Sequence, residues 1–217
     1  MKKLITLIIV MISTFGFASA QVGLNDTNDE YDAEMYGKGK MPFNSDNQVV
    51  FSKVVEVDNQ TSVDIYKLVC KTIPYCFDTD KVSIIDKDND KQSITINAWM
   101  YTLSHGEFVS ALSGVGFKCF FTVRVQCKDG RYRIDVYNIK GHRDQYRRNF
   151  SLYQEENVSA EVLNDKVCLT KNGKVRDDIN GVYRRMIIDC ATSVIYRIEN
   201  NVSTNISKGD IKSNDNW

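Results

Sequence analysis

The sequence has no surplus of charge of either sign: 28 Lys and Arg stand against 28 Asp and Glu. A general polyanion binder carries a large positive excess, so this balance argues against nucleic acid as a partner. Histidine is scarce, with only His105 and His142, and no Cys-x-x-Cys pair occurs. Those two deficits leave a zinc site short of ligands. No Gly-rich loop opens a helix to cradle phosphates; Gly114-Val115-Gly116 precedes a strand instead. A Gly-x-Ser-x-Gly elbow and a Cys-Gly-x-Cys context are both missing. Beyond residue 20 no apolar run is long enough to cross a bilayer as a helix. These absences predict no metal, no cofactor and no transmembrane segment in the mature chain.

What is present begins with an export signal. Lys2 and Lys3 form a charged start, residues 4–17 are almost wholly apolar, and Ala18-Ser19-Ala20 offers small residues at −3 and −1 of a cleavage site. The apolar run is about 14 residues, short of the roughly 20 that a spanning helix needs. Cleavage after Ala20 leaves Gln21 first, with no Cys there to carry a lipid. The mature chain then holds 26 basic and 28 acidic residues, a net charge of −2. The expected location is periplasmic or extracellular. All six cysteines, Cys70, Cys76, Cys119, Cys127, Cys168 and Cys190, fall in the mature part. In an oxidising compartment they admit 15 disulfide pairings, which sequence does not rank. The other reading is that they are small buried apolar residues.

Residues 21–48 carry six acids against two lysines without periodicity, which predicts a disordered acidic arm. Residues 200–217 read as a disordered polar tail, leaving 49–199 as a single domain. Residues 49–57 are β-branched and aromatic, a strand. Thr61, with Asp64 three positions on, resembles a helix N-cap, and Ile65, Leu68, Val69 and Thr72 share one face up to Pro74. Four strands follow: 82–85, one alternating through Ile94, Ile96, Ala98 and Met100, one over 117–128, and one over 131–139. The third is the clearest, with Phe117, Cys119, Phe121, Val123, Val125 and Cys127 opposed to Lys118, Phe120, Thr122, Arg124, Gln126 and Lys128. Asp129-Gly130 is a two-residue hairpin signal, and Asn172-Gly173 suggests a smaller hairpin over 167–175. A final helix over 181–198 lines up Tyr183, Ile187, Cys190, Ala191, Val194 and Ile198. The fold class is α+β, in the order β-α-β-β-β-β-α. A five-stranded antiparallel sheet has both helices packed on one face, and its other face is open.

Val54-Val55-Glu56-Val57, the helix start at Asp64-Ile65-Tyr66 and above all Lys128-Asp129-Gly130-Arg131-Tyr132-Arg133 carry a resemblance. Over roughly residues 49–140 the chain resembles an exported bacterial family described as a domain of unknown function with a TATA-binding-protein-like fold. The resemblance implies the same order of strands and helices, and no activity, substrate or catalytic residue. Likeness of fold to TATA-binding protein does not bring DNA binding with it.

Among candidate sites, Asp86-Lys87-Asp88-Asn89-Asp90 has the alternating acids of a calcium loop. Lys91 and Asn97, however, stand where such a loop needs Gly and a bidentate Glu, and a solvated turn fits better. Ser104-His105-Gly106-Glu107 places nucleophile, base and acid in a row, which neighbours in sequence seldom turn into a triad. A hydrolase on loops around His105 and His142 is the alternative function. The remaining feature is charge: from Lys118 to Arg148 there are nine Lys and Arg against three Asp. Lys118, Arg124, Lys128, Arg131 and Arg133 are expected on the open face or its hairpin, as a binding surface for an anionic envelope component. A solvated strand face kept charged against edge pairing is the competing account. The function expected is a non-catalytic binding or interaction domain that uses the open sheet face.

Overall fold

Alternation of apolar and polar residues over 116–128, interrupted at Phe120, builds the strand around which everything else packs. The computed structural model describes residues 29–77, 81–102, 116–144 and 156–207. The export signal, residues 21–28 of the expected arm, and residues 208–217 lie outside these. In chain order the elements are α1 (Asp29–Tyr36), β1 (Phe51–Glu56), α2 (Ser62–Thr72), β2 (Val82–Asp88), β3 (Ser93–Thr102), β4 (Gly116–Lys128), β5 (Arg131–Asp144), β6 (Glu156–Ser159), α3 (Asp165–Cys168) and α4 (Ile179–Ser207). The strands form one antiparallel sheet in the order β1-β5-β4-β3-β2, with β6 added against the later part of β5. The five expected strands are present. The sixth lies within 140–180, where the sequence shows no clear period.

On β4, Cys119, Phe121, Val123, Val125 and Cys127 are no more than 3% exposed. Both α2 and α4 pack against β4 and β5 on that side. α4 comes close to the sheet at Gly141, where a Cβ would meet the Met186 side chain and stand 2.9 Å from Cδ1 of Tyr183. Gly141 pairs with Cys119 across the ladder, and the Cys119 thiol in turn hydrogen-bonds with Cys190 of α4. Phe121 and Ile187 therefore belong to one buried layer.

Local chemistry sets the element ends. Thr61 Oγ1 accepts from the Asp64 amide at 3.2 Å and caps α2, as its position predicts. The helix stops at Thr72, and the chain continues as a 3-10 turn, Ile73–Cys76, with Pro74 where a missing amide is harmless. The turn at Asp129-Gly130 places Gly130 at φ +71°. Asp129 accepts from the Ser62 amide at 2.7 Å, so the hairpin also supplies a carboxylate to the start of α2. Leu169 bridges Val175 around Gly173 as the small hairpin requires, but its first residues form the helical turn α3.

β5 outruns its predicted end because of a bulge. Phe120 pairs with Lys140 and Thr122 with Tyr137, so Asn138 and Ile139 together oppose Phe121. Asn138 takes φ +52°, which Asn tolerates better than most residues. The inward set changes phase there, from Tyr132, Ile134 and Val136 to Ile139 and Gly141.

Two expectations fail. From Asp29 onward the acidic arm is folded: Tyr36 and Met41 are buried, the Tyr36 hydroxyl donates to Asp189 at 2.8 Å, and Arg185 pairs with both oxygens of Asp32 at 2.9 and 2.6 Å. Arg184, with no exposure, draws the arm in. It donates to the carbonyls of Tyr36, Gly37 and Leu163 at 2.6, 2.7 and 3.0 Å, and to Asp165 at 2.8 Å. The polar tail also fails as a boundary. α4 continues to Ser207, with Val202 buried and Asn205 donating to Thr72 at 3.0 Å.

Replacing Arg184 with Met leaves three buried carbonyls and a carboxylate without their donor, and is expected to cost about 3 kcal/mol. Urea unfolding followed by circular dichroism measures it. Arg184→Lys should fail to rescue, because one ammonium does not reach four acceptors. Burial also raises the Cys127 thiol from the usual 9.0 to about 12 and the Cys76 thiol to about 11. The stability contributed by these neutral thiols is complete below pH 9 and lost as pH rises through 11 to 12. The urea midpoint should fall progressively in that window, and Cys127→Ala should flatten the fall.

Candidate functional site

With one face of the sheet covered by helices, the other is the surface on which β1, β5, β4 and β3 present side chains in cross-strand rows. The register reads, from the hairpin end, Glu56-Arg131-Lys128, then Val54-Arg133-Gln126-Ser93, then Ser52-Asp135-Arg124-Thr95. Next come Tyr137-Thr122-Asn97, then Lys140-Phe120-Trp99, and finally His142-Lys118-Tyr101.

The five predicted cations do not form one site. Arg124 and Arg133 both turn to Asp135, at 3.3 and 2.7 Å, and Ser52 donates to the same carboxylate at 2.7 Å. Asp135 has no exposure, whereas the two arginine side chains are 44% and 50% exposed. One buried negative charge thus holds two guanidiniums flat against the sheet, Arg124 also lying 6.0 Å from the Tyr137 ring. Lys128 and Arg131 flank the hairpin. With Arg133 they rim a shallow hollow of about 300 Å³ whose apolar floor includes Val54. Lys118 stands apart, six residues from Arg124 and so about 20 Å away along the strand.

Lys118 instead belongs to a group the charge pattern did not single out. Its ammonium lies 5.6 Å from the Trp99 ring and 5.8 Å from that of Tyr101, and Lys81 lies 5.0 and 5.9 Å from the same two rings. Trp99 meets Tyr101 edge-on at 5.4 Å and Phe120 at 6.3 Å. Tyr101 and Phe120 are exposed, at 52% and 40%. The sequence signal was there: all three rings occupy polar-phase positions, where an aromatic has no core to enter.

His142 is not in a loop. It lies in β5, nearly buried, with Nδ1 2.9 Å from Asn157 Oδ1 and its ring edge-on to Phe120 at 6.3 Å. His105 and its neighbours Ser104 and Glu107 lie outside the described residues. The acidic run 86–90 is partly strand, since Asp86 and Asp88 pair with Thr95 and Ser93. Asp88 accepts from the amides of Asp90 and Lys91 and pairs with the Lys91 ammonium at 2.9 Å, which together hold it below the usual carboxylate range. That carboxylate shapes a turn. The six cysteines are free thiols. Burial pushes up Cys76, Cys127, Cys168 and Cys190, the opposite of what an attacking thiolate needs. No described helix is long and apolar enough to cross a membrane.

Comparison with known proteins bears on the fold. Among solved structures, a DUF4468 family protein from Bacteroides ovatus superposes with a TM-score of 0.61 at 23% identity, covering 79% of this chain and 95% of that one. A TBP-like protein from Parabacteroides distasonis gives 0.55 at 15% identity, covering 76% and 97%. At such identities the likeness speaks for the fold alone. No curated protein matches the chain. Residues 51–141, the stretch that carries most of the sheet, match the family described as a domain of unknown function (DUF4468) with TBP-like fold, the family that the hairpin motif resembles.

Proposed function

We propose that this is an exported protein of the bacterial cell envelope whose domain binds an anionic envelope component on the open sheet face, without catalysis. What supports the location is the first twenty residues, with charged start, apolar run and small-residue cleavage site. What supports the binding surface is one observation. Lys128, Arg131 and Arg133 rim an apolar-floored hollow beside the hairpin, on the face that no helix covers. Cations that serve only to solvate a strand need not surround a concavity. A hollow of this kind fits a carboxylate, sulfate or phosphate group carried on a larger ligand, held by Arg in a forked geometry and by Lys as a point charge.

Reversing Arg124 and Arg133 to Glu would set two further carboxylates beside the buried Asp135. The sounder variant is Lys128→Glu with Arg131→Glu, both at the rim. Titration calorimetry with dextran sulfate, a generic polyanion, should give saturable binding at low salt that weakens as salt rises. The double variant should lose most of it, and unchanged binding would remove the sheet face from consideration. Asp135→Asn should act in the opposite sense. It releases two guanidiniums from their shared charge, tightening dextran sulfate binding while lowering stability by about 2 kcal/mol in urea. Export is checked separately, by N-terminal sequencing of secreted material, which should begin at Gln21.

A further inference from the structure

We infer that Cys119 of β4 and Cys190 of α4 are joined by a disulfide in the exported protein, fastening the last helix to the central strand. The inference rests on the proposed export, since an oxidising compartment is where such a bond persists. It goes beyond that reading by choosing one pair among the many that six cysteines allow. Three observations carry the choice. Cys119 and Cys190 both have no exposure, and their thiols meet in a hydrogen bond. The approach that lets them meet is built into the next strand: Gly141 stands opposite Cys119 on β5, and a Cβ there would run into Met186 and stand 2.9 Å from Cδ1 of Tyr183. Cys190 follows Met186 by four positions and Tyr183 by seven, so it continues the same stripe of α4. Cα atoms of α4 accordingly come within 8 Å of those of β4. A disulfide needs Cα atoms roughly 4.4–6.8 Å apart, which a helix reaches over a strand most readily where an intervening side chain is absent.

The other four thiols lie elsewhere. Cys127 is eight residues from Cys119 along the same strand, about 26 Å away. Cys70 lies near Cys127 and hydrogen-bonds with Tyr66, at that far end. Cys76 donates to the carbonyl of Thr72 at 3.6 Å, and Cys168 to that of Asn180 at 3.5 Å. Both members of the chosen pair are thiols in this structure, so the bond takes an oxidant, and a disulfide-bearing one supplies it by exchange. One cysteine thiolate attacks the oxidant and displaces its first thiolate, leaving a mixed disulfide. The second cysteine thiolate attacks the protein sulfur of that intermediate and displaces the oxidant's other thiolate. In sum the two cysteines give up two protons and two electrons and gain one S–S bond, while the oxidant leaves as two thiols. Burial raises the Cys190 thiol well above its ordinary value, so the exchange belongs to folding, before α4 closes over β4.

Peptide mapping reads the bond directly. The reduced, denatured mature chain is refolded with oxidised and reduced glutathione, and the remaining thiols are blocked with N-ethylmaleimide in denaturant. Trypsin then releases the peptides Cys119–Arg124 and Met186–Arg197. Mass spectrometry should find them as one species, two hydrogens lighter than their sum, which dithiothreitol separates. Cys190→Ala should leave Cys119 blocked by the reagent. Both peptides blocked in the unmutated chain, or either one joined to a different cysteine, would overturn the proposal. The same map on secreted material keeps the bond apart from the export reading. Blocked peptides on a secreted chain that begins at Gln21 sink the bond and leave export standing. A bond formed on refolding, in a chain that cells keep inside with its first twenty residues intact, sinks export and leaves the pairing.

Discussion

A guanidinium with no exposure to water is stable only where every donor it presents meets an acceptor. Arg184 meets that condition by recruiting from three places at once: the end of α1, the turn before α3, and Asp165. Leu163 and Asp165 lie 21 and 19 residues from it in sequence, and Tyr36 and Gly37 lie 148 and 147. The effect of Arg184 is to fasten the N-terminal segment against α4, alongside the Arg185–Asp32 contact of the next residue and the Tyr36–Asp189 contact five residues on from Arg184. The helical side of the sheet is thereby closed twice, once by α2 and α4 and again by α1. The opposite side of the sheet is the one that no described helix covers.

That opposite side is not uniform, and the cause is backbone geometry. Strands in strict register would carry one alternation from end to end. The extra residue in β5 breaks it between Tyr137 and Lys140, so the two halves of the open face are built from different phases of the same strand. One half gathers guanidiniums around Asp135, where mutual neutralisation leaves a modest net charge. The other half gathers aromatic rings and lysines, with Lys81 and Lys118 lying against Trp99 and Tyr101. The charge count along the sequence, nine basic residues against three acidic, does not reveal this division. Cross-strand pairing decides which cation meets which acid.

Local and periodic information was legible. The alternation of β4, the stripe of α4 and the Thr61 cap each depend on residues a few positions apart, and each stands as expected. What was not legible depends on contacts distant in sequence. Residues 29–48 look unable to fold because their own apolar content is slight, yet Tyr36 and Met41 are buried, and α4 supplies Asp189 and Arg184 to hold Tyr36. The end of α4 reads as a polar tail, although Val202 continues the i, i+4 series from Val194 and Ile198, and one apolar residue per turn is too sparse to register by composition. The pairing of Arg124 and Arg133 with Asp135 needed the register of β1, β4 and β5. The aromatic cluster needed the additional step of asking why rings stand at polar-phase positions.

The hairpin motif shows how family likeness and function part company in this fold. Its most distinctive residues, Asp129 and Gly130, are occupied with structure. Asp129 receives the first amide of α2, the Gly130 amide donates to Gln60 at 2.9 Å, and its carbonyl accepts from Val57 at 2.8 Å. These bonds lock the β4–β5 turn to the β1–α2 connection, which is what a chain must preserve to close this sheet under its helices. A sequence pattern built on such bonds identifies the fold and is silent about the ligand. Open-face positions such as Trp99, Tyr101, Phe120 and Lys81 lie outside that bonded turn. A chain can share the motif and differ at every one of those positions, so fold comparison alone does not transfer a partner from one such protein to another.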